Sequence, residues 1–520
     1  MIAENLTMKT RTTSRFLSNL GSTLGVLTLA SGLALAGCDK PEPDTNPPVD
    51  VTPPPEPTPE PPKREYPEPP APSAQRPVNF PEVQKLELPN KLVVYVVENH
   101  EVPIVDVQLV IKAGTIHDEL LAGMTANILS EGTKKRTKAQ IDEAIEQVGS
   151  NLGVGTDMYD AGISTRVLKP DLALALDLVN DVARNPRFEQ AALDKLKASQ
   201  KVTIASEKSD GGALAGRLSS MLLYPPGHPY GHKLPTDADV DAITLDAIKA
   251  FHDTWYRPNN AYLILSGDVT KDEVRKMVEK TLGSWNPASS FPAHPLEQFA
   301  GADYQKAVPT ELVVNIVDRN QISSDIILAN VNGVARNSPE WNAMAAVVKY
   351  FGGGMSSILF RDIRETQKLT YNINAFQSSQ KAVGEFGIST QTKEVDKMLN
   401  AVFQHIEDLR TKDPDAAYVQ SALDNMALSF PLQIETASQI AGKVATMLTY
   451  NLPDTYYNTY IDDVRKVKVE DIKATAAKHI HPIPVIVIVG KAKKIREQLA
   501  NVPYLKDAKI VEYDTDLNKK

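Results

Sequence analysis

Hydrophobic and polar positions change period several times along this chain. Val105, Val107, Leu109 and Ile111 alternate with Asp106 and Gln108, a period of two that predicts a strand with one face buried and the other in solvent. From Leu172, apolar residues recur at Leu174, Ala175, Leu178, Val179 and Val182 until Asn185-Pro186. That is the spacing of a helix lying on a core, stopped by proline. Further on, Ser338-Pro339-Glu340 predicts a capped helix start, after which Trp341, Met344, Val348 and Phe351 share a face.

The pattern occurs twice. LVVYVVENHEV from Leu92 matches LVVNIVDRNQI 220 residues later, and DAITLDAIKAF from Asp241 matches RKVKVEDIKAT 224 residues later. Each half closes with a helix feeding an apolar run that stops at glycine, AYLILSG at Gly267 and VIVIVG at Gly490. Matches at both extremities, in one order and at nearly one spacing, predict a duplicated domain of about 210 residues. The expected bounds are 83–295 for the first copy, 296–306 for a linker, 307–510 for the second copy and 511–520 for a tail. Strands and helices are mixed, with hairpin-like strand pairs, so the expected class is α+β, each copy a mostly antiparallel sheet covered by helices.

Composition narrows the function classes. Hydrophobic content of 42% and charged content of 23% are those of a globular chain. A net charge of -9 offers no electrostatic reason to expect a nucleic-acid partner. The N-terminal segment has basic residues (Lys9, Arg11, Arg15), an apolar middle and small residues before Cys38, the build of an export signal. Leu35-Ala36-Gly37-Cys38 resembles the bacterial lipobox, which implies that residues 1–38 are a lipoprotein signal with Cys38 as the acylated residue. The expected location is a bacterial cell envelope, with the chain held on a membrane and facing the periplasm or cell surface. Cys38 is the one cysteine in the chain, so no internal disulfide or cysteine metal cluster can form. Sixteen of the 37 residues from Pro41 to Pro77 are proline, and residues 39–82 are expected to form an extended tether outside the fold.

Several stretches carry a further pattern: AGTIHDE (Ala113 to Glu119) leading into ELLAGMTANILSEGT, HPYG (His228 to Gly231), WYRPNNAYLILSGD (Trp255 to Asp268), and FGGGMSSILFRDIRETQKLTYNINA (Phe351 to Ala375). In this order on a duplicated body, they resemble the insulinase (pitrilysin) family of zinc metallopeptidases. The branch is that of two-domain subunits, which includes mitochondrial processing peptidase and bacterial heterodimers. Active members carry HxxEH before the glycine-threonine pair, two histidines on one helix face for Zn²⁺ and a glutamate as general base. Registered on Gly132-Thr133, those positions fall on Gly123, Ala126 and Asn127. The family's further glutamate ligand falls near Thr203, with Glu207 one turn away. No HxxEH or HExxH stands anywhere in the chain.

The loss is large. Zinc lowers the pKa of bound water from about 15.7 to about 7, on the order of 12 kcal/mol of nucleophile activation at about 1.36 kcal/mol per unit. The other histidines do not replace the motif on sequence grounds. His228 and His232 are separated by Pro229 and Gly231, His479 and His481 precede Pro482 without a neighbouring acid, and His117 sits in an acidic loop expected to be solvated. No G-x-S-x-G and no cysteine-histidine pair offers another nucleophile.

The resemblance therefore implies a catalytically inactive subunit that binds no cofactor itself and forms a heterodimer with an HxxEH-containing catalytic subunit holding the zinc, the two acting on a peptide substrate. The family's second domain commonly carries an arginine and a tyrosine that reach bound peptide, and that pair maps onto Arg364 and Tyr371 in RETQKLTY. An arginine fork suits a peptide carbonyl or carboxylate, and a tyrosine hydroxyl can donate to a forming oxyanion. Gly352-Gly353-Gly354 lacks the Gly-Lys-Ser/Thr of a phosphate loop and is expected to be a tight helix-to-loop connection open to close backbone approach by a partner or peptide. Two alternatives stay open at this point, a non-enzymatic envelope scaffold or peptide-binding module and an independent zinc peptidase with irregular ligands.

Overall fold

The computed structural model describes residues 78–299 and 309–520. Cys38, the lipobox and the tether up to Pro77 lie outside the described residues. Each half contains a six-stranded sheet. The first is built from β1 (Gln84–Glu87), β2 (Val93–Glu98), β3 (Ile104–Ile111), β4 (Leu152–Thr156), β5 (Ala161–Leu168) and β6 (Ala261–Gly267). The second is built from β7 (Val313–Asp318), β8 (Ser324–Val331), β9 (Ile373–Ser378), β10 (Glu385–Thr392), β11 (Val485–Gly490) and β12 (Lys509–Tyr513). The first half carries helices α1 (Glu119–Leu129), α2 (Lys138–Glu146), α3 (Leu172–Arg184), α4 (Gln190–Ser209), α5 (Gly211–Leu223), α6 (Asp237–Ala242), α7 (Leu245–Trp255) and α8 (Lys271–Leu282). The second carries α9 (Trp341–Gly352), α10 (Val395–Thr411), α11 (Ala416–Ser429), α12 (Ala437–Tyr450), α13 (Tyr456–Arg465), α14 (Val469–His479) and α15 (Ala492–Leu499). Among the described residues no helix is long and apolar enough to cross a membrane.

The strand orders are β1-β2-β6-β3-β5-β4 and β12-β7-β11-β8-β10-β9. Five strands of each sheet repeat one arrangement, with β2 parallel to β6 as β7 is to β11 and antiparallel pairing through the rest. The predicted α+β duplication is therefore the observed fold. The sixth strand differs. In the first sheet it is β1, antiparallel to β2 through a short hairpin, and in the second it is β12, parallel to β7. Residues 511–520 are accordingly not a tail, because Val511 to Tyr513 complete the second sheet and Lys520 Nζ reaches Asp318 at 2.8 Å. At the other end, packing begins before residue 83: Phe80 is buried with its ring 5.2 Å from that of Tyr457.

The alternation in β3 is a strand, as expected, but its polar face is not in solvent. Asp106 is buried, because α12 of the second half lies across β3 and β6. Arg166 Nε donates to Asp106 at 3.1 Å and the Ser438 hydroxyl donates to its other oxygen. Burial pushes the Asp106 carboxyl upward while Ser438 and Arg166 pull it back. The exchange is reciprocal, since α5 of the first half covers β8 and β11. Each sheet thus borrows a helix from the other half, and an apolar cluster fills each half behind its own sheet. The cap of α9 also differs from expectation. Its first non-helical residue is Glu340, with no side-chain cap bond, and Ser338 Oγ instead accepts the Glu340 amide at 3.2 Å.

Candidate functional site

Helix α1 starts where Asp118 accepts the Leu121 amide at 2.8 Å. Its apolar residues Ala122, Ala126 and Leu129 enter the first core and Met124 and Ile128 a second cluster under α4 and α7. Gly123, Ala126 and Asn127 therefore meet three different surroundings. Ala126 is fully buried, Asn127 is exposed, and a Cβ at Gly123 would have one neighbour within 4 Å, Thr156 Cγ2 at 3.9 Å. Thr203 on α4 is exposed, with its hydroxyl on the Ser199 carbonyl at 3.2 Å. A glycine, an alanine, an amide and a spent hydroxyl do not form a zinc donor set, and none can serve as a proton acceptor at neutral pH. Among the described residues no group of three or more His, Cys, Asp or Glu is arranged to hold a metal ion.

One helical turn along from these positions stands a group that sequence reading only half located. Arg217 of α5 forks onto Glu119 of α1, at 3.0 and 2.9 Å, and also onto Glu207 of α4, at 2.8 and 3.2 Å. Burial works against its charge, but hydrogen bonds and charge from Glu207 and Glu119 outweigh burial and hold the guanidinium above its ordinary value. His232 lies beside this group with Nε2 buried and unpartnered. Burial lowers the imidazole, Glu119 opposes this and Arg217 adds to it, so His232 is neutral at physiological pH. Glu207 stood out in the sequence, but Arg217 did not, because the turn between α4 and α5 alone brings residues ten apart face to face.

The remaining histidines have structural partners. His228 is buried and stacked on Tyr224 with ring centroids 4.8 Å apart, and its Nδ1 accepts the Tyr230 amide at 3.1 Å. It does not share a helix face with His232, as the intervening Pro229 and Gly231 foretold. HPYG is a turn that presents Tyr230, whose hydroxyl meets that of Tyr159 at 2.8 Å and accepts the Ala382 amide at 3.2 Å. His117 is not a solvated loop residue: it lies 4.3 Å from the Trp255 ring, and burial with neighbouring His294 lowers its pKa to about 4. His479 does have an acidic neighbour, with Nε2 at 3.3 Å from Glu340, although not aligned as a hydrogen bond, while Nδ1–H donates to the Asn332 carbonyl at 2.7 Å.

Arg364 and Tyr371 are brought together. Phe360–Thr366 forms a π-helical segment, a wide coil that recurs at functional sites. It places the Arg364 guanidinium between two rings, 4.4 Å from Phe360 and 4.8 Å from Tyr371, with Glu365 at 3.5 Å from Nε. Thr370 Oγ1 lies within hydrogen-bond distance of the carbonyls of Asn372, at 2.9 Å, and Gln391, at 2.7 Å, beside Tyr371. Tyr371 itself is 79% exposed. Its surroundings are those of a surface platform, not of a core strand. Gly352 makes the close backbone approach expected of the glycine run, but toward its own sheet: a Cβ there would meet Ala375 Cβ at 2.6 Å. Among the described residues no hydrogen bond or ion pair links the Arg364–Tyr371 pair to the positions on α1.

Comparison with known proteins agrees with this geometry. Residues 93–220 match the family described as Insulinase (Peptidase family M16), and residues 242–426 match the Peptidase M16 inactive domain. An uncharacterized zinc protease of Streptomyces coelicolor is 24% identical over 71% of this chain and 80% of its own length. A non-peptidase homolog of Helicobacter pylori, YmxG, is 23% identical over 76% of this chain and 91% of its own. Among solved structures, a peptidase M16 inactive domain from Pseudomonas fluorescens superposes with a TM-score of 0.70 at 24% identity, covering 79% of this chain and 98% of that one. With its duplicated sheets, its motif order and these matches, the chain belongs to the insulinase family of peptidases, as a member without the family's HxxEH signature.

Proposed function

We propose that this chain is a lipid-anchored, catalytically inactive subunit that assists a zinc-bearing HxxEH partner in cleaving peptides at a bacterial envelope. The observation that carries the reading is the Arg364–Tyr371 platform. A guanidinium flanked by two rings and a tyrosine 79% exposed form an outward-facing donor pair on a chain whose Gly123, Ala126 and Asn127 stand where the ligand motif would be. An arginine already stacked loses little freedom when it binds a carbonyl or carboxylate. A phenol aimed out of the chain can donate to the oxyanion that forms on peptide at a partner's metal. Zinc chemistry belongs in this scheme to the partner, and Cys38 supplies the membrane anchor.

The test is co-purification with a catalytic subunit, followed by peptide cleavage by each chain alone and by the pair. The pair should exceed the partner alone by about 10²-fold, the scale of one oxyanion donor, and Tyr371→Phe or Arg364→Ala should remove most of that gain. A pair no faster than its catalytic member refutes the role. Membrane fractionation of Cys38→Ala tests the anchor separately, with release into the soluble fraction expected.

A further inference from the structure

In active relatives the resemblance assigns a metal two ligands from the helix equivalent to α1 and one from the helix equivalent to α4. A metal so held would join those helices. Here the positions cannot supply ligands, yet the two helices are still joined. Glu119 is one turn before Gly123 on α1, Glu207 is one turn after Thr203 on α4, and the four carboxylate oxygens converge on the guanidinium of Arg217 at 2.8 to 3.2 Å. All three side chains are largely covered, at 18% exposure for Arg217, 28% for Glu119 and 19% for Glu207.

We infer that Arg217 does for this chain the structural work of the metal: a protein-borne cation that clasps α1 to α4 and makes the fold independent of zinc. Its planar fork is suited to two carboxylates at once, which an ammonium is not. The clasp also spans the molecule. Arg217 belongs to α5, whose other side lies on the second half's sheet, where a Cβ at the adjacent Gly216 would be 4.0 Å from Ile327. Removing the guanidinium leaves two largely covered carboxylates facing each other with no cation between them, so loss of Arg217 costs more than the hydrogen bonds it made.

The inference requires no partner and can be tested on the isolated chain by thermal unfolding and amide hydrogen exchange. Arg217→Met should lower the unfolding midpoint by about 5 °C and speed exchange at the start of α1 about tenfold or more. Arg217→Lys, which keeps the charge and loses the fork, should fall between. The variant Glu119→Gln/Glu207→Gln/Arg217→Met should recover most of the loss, because the stranded charges are gone; if it is no better than Arg217→Met alone, Arg217 acts through packing and the clasp is wrong. EDTA should leave the wild-type midpoint unchanged. A midpoint that falls with EDTA and returns with zinc, or an Arg217→Met chain as stable as wild type, overturns the inference.

Discussion

The two halves share five strands in one order, yet treat the same position in opposite ways. On β3, Asp106 stands opposite Arg166 of β5, and on β8, Asp325 stands opposite Gln391 of β10. Both acids lie near the start of the helix contributed by the other half, Asp106 beside Ser438 of α12 and Asp325 beside Gly211 of α5. In the first half the carboxylate is met by a guanidinium at 3.1 Å; in the second it is met by amides, Gln321 at 2.8 Å and Gln391 at 2.9 Å. Burial is the first cause that raises both acids. Duplication preserved the need for an acid under a borrowed helix and left its neutralisation to drift. The helices that follow β3 and β8 diverged further. Helix α1 carries Gly123, where a Cβ would make one ordinary contact with Thr156 at 3.9 Å, whereas α9 ends at Gly352 pressed on Ala375.

The sharpest test of that contrast is one methyl group. Gly352→Ala forces a Cβ into the backbone and side chain of Ala375 and should destabilise by about 3 kcal/mol or more. Next in size is Asp160, buried where Thr449 of α12 donates to it at 2.6 Å. Burial and the nearby Asp157 raise its pKa from 3.8 to about 6. A raised acid stabilises the fold fully below its unfolded pKa and loses that contribution as pH climbs through the folded value. Asp160→Asn should therefore stabilise the chain at pH 8 by up to about 3 kcal/mol and do nothing near pH 3, as denaturant titrations at the two pH values would show. A gain equal at both pH values would mean that ionisation is not involved.

Smaller effects separate the paired acids. Asp106→Ala deprives Ser438 and the half-exposed Arg166 of their carboxylate and should cost about 2 kcal/mol, whereas Asp325→Ala deprives two amides of theirs, with Arg319 acting on that acid through charge alone, and should cost about 1 kcal/mol. Equal losses in chemical denaturation would erase the distinction between the halves. Least of all, Gly123→Ala adds a methyl within a helix at ordinary contact distance from Thr156 and should raise stability by about 0.5 to 1 kcal/mol. A loss there would show that the floor of the degenerate site is not open.

Much of this was legible without coordinates. Residues 105 to 111 and 172 to 182 carry their periods in the open, and the duplicated runs ending at Gly267 and Gly490 foretold two similar sheets. The loss of the ligand motif was equally visible. What escaped were contacts whose partners lie far away in sequence. Asp106 looked like a solvent-facing residue because the helix that buries it starts more than 300 residues later. The exposure of Tyr371 was implied by the resemblance alone and not by its local sequence, since an aromatic before a strand can be core or surface.

By itself the amino-acid order determined local periods, the duplication and the missing imidazoles, because each is a property of neighbouring residues or of direct comparison. Tertiary structure alone decided that the halves exchange helices, that the last residues close a sheet, and that Arg217 joins Glu119 and Glu207. Those outcomes depend on which surfaces meet after the chain has turned many times, and a charge without a visible partner in sequence finds one only when desolvation makes leaving it unpaired expensive.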